Sequence, residues 1–468
     1  MTFPLRLLQI GWIPLALAAC SLQSPSSRAD MELPVAWKNA AGFPVASPSK
    51  DLARWWKRFD DPLLTRVISD ALKSNPDIQS ATARIKEARA RRDAQRASLF
   101  PSLGGSAAAS SRATETNQAG TVKTNSYSAG LDASWEVDLF GKRRSAVEAA
   151  SANLGATEEN LHSVQAALAS EIAVSYTFLR ASEARLVVLH RSVKSRQQTS
   201  QLASWRTQAG EADALESSQA LGSLEQARAA IPALEQIAAQ TRNQLALLSG
   251  RAPGSLDGML CSSSKGIPTP ARGLALGIPA DTLRQRPDVR VAGYQLLAAA
   301  ASTRAADAER FPSLNLAGSL GLDSLGTGKI FNPQTASAGI IAGVTSPIFD
   351  AGRIRSNLAA QTALEEQTVQ TYRATVLTGL SETEDALIAC RRTAERLEAL
   401  EKATVAARES DLLARQRYQA GEIDFLIVLD AQRTLLGLED SLLAVQTDRT
   451  TAYIQLYKAL GGGWSPAS

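Results

Sequence analysis

The sequence predicts a mainly α-helical chain with a small β part, in which a long helical stave topped by a β-hairpin is built twice. Three observations carry this. Phe100-Pro-Ser-Leu103 recurs as Phe311-Pro-Ser-Leu314, and landmarks along most of the chain keep the same offset of 211 residues. Each copy contains long stretches of helix-forming composition without internal breaks. Between them lie short stretches in which apolar and polar residues alternate strictly, the period of a two-faced strand.

From the N-terminus, residues 1–19 form a targeting segment outside the fold. Arg6 precedes an apolar run that closes on Leu17-Ala18-Ala19-Cys20. That ending is similar to the bacterial lipobox, which implies diacylglycerol and acyl chains on Cys20 and, with Ser21 next, sorting to the outer membrane. No later stretch of 18 or more apolar residues exists, so no transmembrane helix is expected. Residues 20–61 then form a lipid-anchored segment, 62–254 the first repeat, 255–278 a Pro/Gly/Ser-rich linker and 279–468 the second repeat.

The duplication extends well beyond the opening tetrapeptide. Asp70, Leu72, Pro76 and Asp77 map onto Asp281, Leu283, Pro287 and Asp288. Gly141, Arg144 and Ser145 map onto Gly352, Arg355 and Ser356, and Gln208-Ala-Gly-Glu211 onto Gln419-Ala-Gly-Glu422. A unit this long is a subdomain and not a solenoid repeat.

Within the first copy, 76–99 is rich in Ala, Arg and Gln, with Asn75 as cap, Pro76 in the first turn and Asp77 beside it. From Tyr127 to Asp138 the period becomes two, and Tyr127, Ala129, Leu131, Ala133, Trp135 and Val137 share one face. The second copy repeats this at 313–322 and again at 337–345. After Gly141 and Gly352 a helical run of about 62 residues, ~93 Å, reaches an Ala-Gly turn. Another helix returns over 213–249 and 424–460. The first and last helices of a copy together match the long one, so they stack end to end beside it. Leu435/Leu442 and Leu436/Leu443 put two seams on one helix, as suits a helix packed between two neighbours.

Tyr127 and Trp135 lie eight residues apart on one face, ~26 Å at full extension, close to the ~25 Å apolar band between the aromatic girdles of a transmembrane barrel. Four strands cannot close, and open edges are not tolerated in hydrocarbon. At least two chains must therefore share a barrel. A homotrimer supplies twelve strands and twelve helical columns, which at ~10 Å spacing form a ring ~38 Å across with a hollow near 28 Å.

Other classes find little support. Net charge is +4 with no basic block, so no nucleic-acid partner is expected. Three Cys and two His leave little material for a metal site. His162 and His190 lie ~42 Å apart on one straight helix. Gly326-Thr-Gly-Lys lacks the flanking residues of a phosphate loop. Cys261 and Cys390 could pair in an oxidising compartment. No enzyme is expected, and no cofactor beyond the lipid on Cys20.

An ordered set of motifs resembles a known family. It comprises Trp56-Lys-Arg-Phe59-Asp-Asp61-Pro62-Leu63, Phe100-Pro-Ser-Leu103, Trp135-Glu-Val-Asp-Leu-Phe-Gly141, Ile278-Pro-Ala-Asp-Thr-Leu-Arg-Gln-Arg-Pro-Asp-Val289, Arg417-Tyr-Gln-Ala-Gly421, Leu429-Asp-Ala-Gln432 and Leu456-Tyr-Lys-Ala-Leu-Gly-Gly-Gly-Trp464. With the Cys20 signal these are similar to TolC-like outer-membrane efflux proteins, in the lipoprotein branch serving resistance-nodulation-division pumps. The resemblance implies a trimeric exit duct in the outer membrane, reaching through the periplasm to an adaptor protein and an inner-membrane transporter. It further implies a carboxylate ring at Asp430, with Leu426 as an apolar plug one turn earlier. Ile427 stands where TolC has a second acid, so a doubled acidic ring is not expected. The turns, with Arg206, Gly210, Arg417 and Gly421, are the expected adaptor-docking points, and Tyr127 and Trp135 the membrane girdle. A duct for type I protein secretion and a coiled-coil envelope spacer without a channel are the alternatives; the spacer leaves the two-faced hairpins unexplained.

Overall fold

The computed structural model describes residues 31–40, 50–116, 120–261, 266–270, 279–325 and 336–464. Cys20, the targeting segment and the Gly326 stretch lie outside the described residues. A 3-10 segment, Lys50–Phe59, leads into α1 (Pro62–Ser74) and α2 (Pro76–Ala97). The hairpin β1 (Ser102–Thr116) and β2 (Gly120–Val137) precedes α3 (Lys142–Gln208) and α4 (Ala214–Leu248). Then come α5 (Asp257–Cys261), α6 (Pro279–Gln285), α7 (Pro287–Ala308), β3 (Ser313–Ser324), β4 (Ala336–Thr345), α8 (Arg353–Gln419) and α9 (Phe425–Ala459).

The long helices α3 and α8 have 67 residues each, about 100 Å, and outrun the expected length at their lower ends. Apolar periodicity fades there, but the backbone closes the last turn by itself. Gly210 and Gly421 both sit at φ +77. Glu211 N then donates to Arg206 O and Glu422 N to Arg417 O, satisfying carbonyls that the helix ends leave open.

α3 is flanked on one side by α2 and α4 and on the other by α7 and α9, and α8 packs on the far side of α7 and α9. The wall thus has four columns, two of them composite. In the first composite column Ser74 Oγ donates to Ser249 O (2.7 Å) and Asn75 Nδ2 to Leu248 O (2.8 Å), while Asn75 Oδ1 caps α2. At the equivalent joint the guanidinium of Arg286 donates to Ala459 O (3.0 Å), Asp288 and Glu382. The two copies make the same end-to-end joint, one with an amide and one with a buried cation. A methyl group on Gly250 or Gly461 would strike the opposite chain end, Ser74 O at 2.5 Å or Gln285 O at 3.0 Å.

A layer at mid-height covers one side of the wall. Trp55 is fully buried and stacks on Tyr457 at 5.3 Å. Asp61 caps α1 and accepts from Tyr176 Oη of α3 (2.8 Å). Two described stretches of the linker pack here: α5 buries Leu260, and Pro268 O accepts from Thr450 (2.7 Å).

Both hairpins join in one antiparallel sheet, ordered β1-β2-β3-β4, with β1 and β4 at its edges. The register pairs Trp135 with Leu316, Leu131 with Leu320 and Ala129 with Leu322, while Leu314 faces Val344 and Gly318 faces Ile340. The opposite face pairs Asp132 with Ser319 and Ser128 with Asp323. One face is therefore apolar and the other polar, with Ile341 the large apolar exception on the polar side.

Candidate functional site

The sheet supplies the first half of the site. From Tyr127 to Val137 the apolar face spans about 33 Å along β2, and a strand tilt near 40° reduces this to a height of ~25 Å. Beyond Tyr127 the first hairpin continues with Arg112, Thr124 and Asn125, polar on both faces. Tyr127 and Trp135 share the apolar face, as the alternation implied. Trp135 is further pinned, its Nε1 donating to Leu99 O at 3.0 Å. The junction with the helices carries aromatics that alternation alone did not single out. Phe140 stacks on Phe311 at 4.8 Å, and Phe100, just before β1, and Phe349, just after β4, are exposed.

The helical wall is curved. A concave recess of about 1070 Å³ is lined from all four columns, by residues such as Arg91, Asn153, Ser302 and Gln361. A second recess on this face, near mid-height, includes Thr393 of α8 and Asp448 of α9. Asp430 lies about five whole turns before Asp448 on α9, so it shares the concave face. The waist layer occupies the convex side. The upper recess mixes amides, hydroxyls and charges with alanines, and includes the Lys142–Glu309 pair at 3.1 Å.

At the tip, Phe425, Val428 and Leu429 are buried against Ala203, Ala220, Ala414 and Tyr418. The helical turn then leaves Leu426 (60% exposed), Ile427 (52%) and Asp430 uncovered together. The plug and ring residues expected from the family pattern thus occupy one exposed stripe. Gly210, Arg417 and Gly421 are exposed at the turns. Arg206 is engaged inside the tip: its guanidinium lies 4.9 Å over the ring of Tyr418 and 3.8 Å from Glu211.

Tyr418, only 1% exposed, donates its hydroxyl to Glu216 of α4. Burial, reinforced by the Glu216 carboxylate, pushes the phenol up to about 12, so it remains a donor at neutral pH. Arg206, Tyr418 and Glu216 form a clasp between the two copies. Sequence reasoning missed Tyr418 and Glu216, although a signal existed. Thr207 stands in the first copy where Tyr418 stands in the second, and Ile427 stands in the second where Glu216 stands in the first. The repeat departs from itself at both partners.

Cys261 and Cys390 are both free; Cys390 is buried, which pushes its thiol up to about 12. His162 packs against Trp464 at 4.3 Å and contacts Glu159 at 3.1 Å, a structural setting at the waist.

A family model described as outer membrane efflux protein matches residues 67–251 and 278–462. The solvent efflux pump outer membrane protein SrpC of Pseudomonas putida is 33% identical over 461 residues, spanning 96% of this chain and 97% of that protein. The cation efflux system protein CusC of Escherichia coli O157:H7 is 31% identical over 453 residues, with 97% of each chain covered. Among solved structures, the outer-membrane channel OprN superposes with a TM-score of 0.87 at 30% identity, over 93% of this chain and 99% of that one.

Proposed function

This chain belongs to the outer membrane efflux protein family, and we infer that three copies of it close into a single duct. It is an outer-membrane efflux channel, as its relatives are. The twelve strands of a trimer make the barrel, and the four-column walls continue it as a tunnel into the periplasm. The observation that carries this is the sheet: one apolar face tall enough for the membrane, one polar face, and two edges only further copies can satisfy.

Conduction is passive through a wet, polar-lined bore. The tip is the gate: the Tyr418–Glu216 clasp holds α8 against α4, Leu426 and Ile427 crowd the entrance, and Asp430 sets a ring of carboxylates on the axis. The exposed turns at Gly210 and Gly421 meet a periplasmic adaptor, and through it an inner-membrane resistance-nodulation-division transporter that selects the cargo, drugs and other toxic compounds. Lipid on Cys20 adds an anchor. The test is native mass measurement of the detergent-purified protein together with planar-bilayer recording. A trimer with discrete conductance steps is expected. A stable monomer whose β2 and β3 residues react with an aqueous thiol label after substitution by Cys would overturn the duct.

A further inference from the structure

Between mid-height and the tip, α3 and α9 meet along a seam on the concave side. Arg196 of α3 lies five whole turns below Phe178, which lines the mid-height recess. Arg433 of α9 follows Asp430 by three residues, about 60° around the helix. Asp440, one heptad above Arg433 and so on the same stripe, pairs with Arg185 of α3 at 2.8 Å. Arg185 in turn lies three turns above Arg196, on the same stripe of α3. The seam therefore joins cation to anion at its upper position and cation to cation at its lower one.

Arg196 is only 5% exposed, and its guanidinium has neutral partners alone. Nη1 donates to Ser223 O of α4 (3.1 Å) and to the Ser223 hydroxyl, and Nε donates to Ser192 Oγ (3.3 Å). Nη2 donates to no described residue. No carboxylate among the described residues, Asp430 included, pairs with Arg196 or with the exposed Arg433. Burial, and then the charge of Arg433, pulls the Arg196 guanidinium below its ordinary value. Two like charges in one seam, one of them buried, cost stability unless an anion answers both. The repeat does not impose this arrangement. Ala407 stands in the second copy where Arg196 stands in the first, and Gly222 stands in the first where Arg433 stands in the second.

We propose that Arg196 and Arg433 hold a small oxyanion, a carboxylate or phosphate group, on the bore side of this seam just above the Asp430 ring. Arg196 offers Nη2 to one oxygen, and Arg433, free in the bore, swings onto another. The oxyanion arrives through the entrance, either on a cargo molecule that bears a carboxylate or as free inorganic phosphate. An acidic cargo repelled by the Asp430 carboxylates then meets two guanidinium groups from each copy one turn further in, which offsets the repulsion. This rests on the duct reading above for which side is the bore, and it adds a class of ligand to that reading.

The test uses the full-length protein in an uncharged detergent, with trifluoroacetate as the probe and fluorine NMR line width as the readout. Trifluoroacetate should broaden saturably, while neutral trifluoroethanol should stay sharp. Acetate and inorganic phosphate should each reverse the broadening, and whichever acts at the lower concentration identifies the source of the oxyanion. Arg433→Gln should weaken binding about fivefold, the size expected for an exposed charge pair. Arg433→Glu should abolish binding and raise the melting temperature, because its carboxylate answers Arg196 directly. Lys458→Gln, which alters a cation of the mid-height recess away from the seam, should bind as the parent does. Broadening that does not saturate, or that survives both Arg433 substitutions, is anion adsorption and overturns the site. Binding that appears only after Asp430→Ala also overturns it, because a neighbouring carboxylate then occupies the arginines. No binding in any preparation does the same. Native mass measurement and bilayer recording of the same preparation separate the two ideas: a conducting trimer that binds no trifluoroacetate sinks only the site, and a monomer that binds it without conducting sinks the duct.

Discussion

Replacing Tyr418 by Phe isolates the clasp at the tip. The ring stays, so its packing on Phe425 at 5.8 Å and the seat of Arg206 above it survive. What disappears is one hydrogen bond to the carboxylate of Glu216. Such charge-assisted bonds are worth about 1.5–3 kcal/mol. Glu216 is only partly buried and regains water when the tip opens, which selects the lower end, about 1.5 kcal/mol. That is roughly tenfold in the closed-to-open ratio per subunit, and about a thousandfold if three clasps release together. Planar-bilayer recording near neutral pH should show the Phe variant dwelling in higher conductance levels. Arg417→Ala, on an exposed side chain outside the clasp, should not. The sign with pH follows from the raised phenol: its ordinary value is 10.0 and the clasp lifts it to about 12. The clasp's contribution is complete below pH 10 and is lost as pH rises through 12. The parent should therefore open across that window, and the Phe variant should lack this transition. A Phe variant with the parent's conductance, melting temperature and alkaline response would refute the clasp as the lock.

Asp430→Ala should lower cation-over-anion permeability severalfold and relieve block by divalent cations; unchanged reversal potentials in a salt gradient would remove Asp430 from the constriction. Arg286→Ala strips the donor from Ala459 O, Asp288 and Glu382. Because both carboxylates reach water, the expected loss is about 2 kcal/mol by denaturant unfolding, against about 1 kcal/mol for Asn75→Ala at the equivalent joint. Gly461→Ala combines a φ of +77 with contact on Gln285 and should cost roughly 2–3 kcal/mol. Gly421→Ala has open space around the added methyl and should cost only about 1 kcal/mol; equal melting shifts would contradict the end-to-end joint.

Helices and hairpins were legible because each rests on residues close together in the chain, and the doubling because the same short motifs recur at a fixed offset of 211 residues. Asn75-Pro76-Asp77 announces the start of α2, and alternation from Tyr127 onward announces β2. The helix ends at Gln208 and Gln419 were misjudged by a turn because backbone hydrogen bonds, and not apolar spacing, finish them. The clasp was missed: its bonded partners lie 202 positions apart, and the repeat's departure from itself at Tyr418 and Glu216 marks each residue without saying that they meet.

The chain by itself determined that two staves exist, their length to within about a turn, and that each hairpin has one face for lipid and one for water. Only the tertiary structure decided that Tyr418 meets Glu216, that Arg286 closes one joint as Asn75 closes the other, and that Arg196 and Arg433 share a seam. Local periodicity fixes which side chains a helix presents together. What they meet depends on the order in which columns pack, and that order is set by joints and turns far apart in sequence.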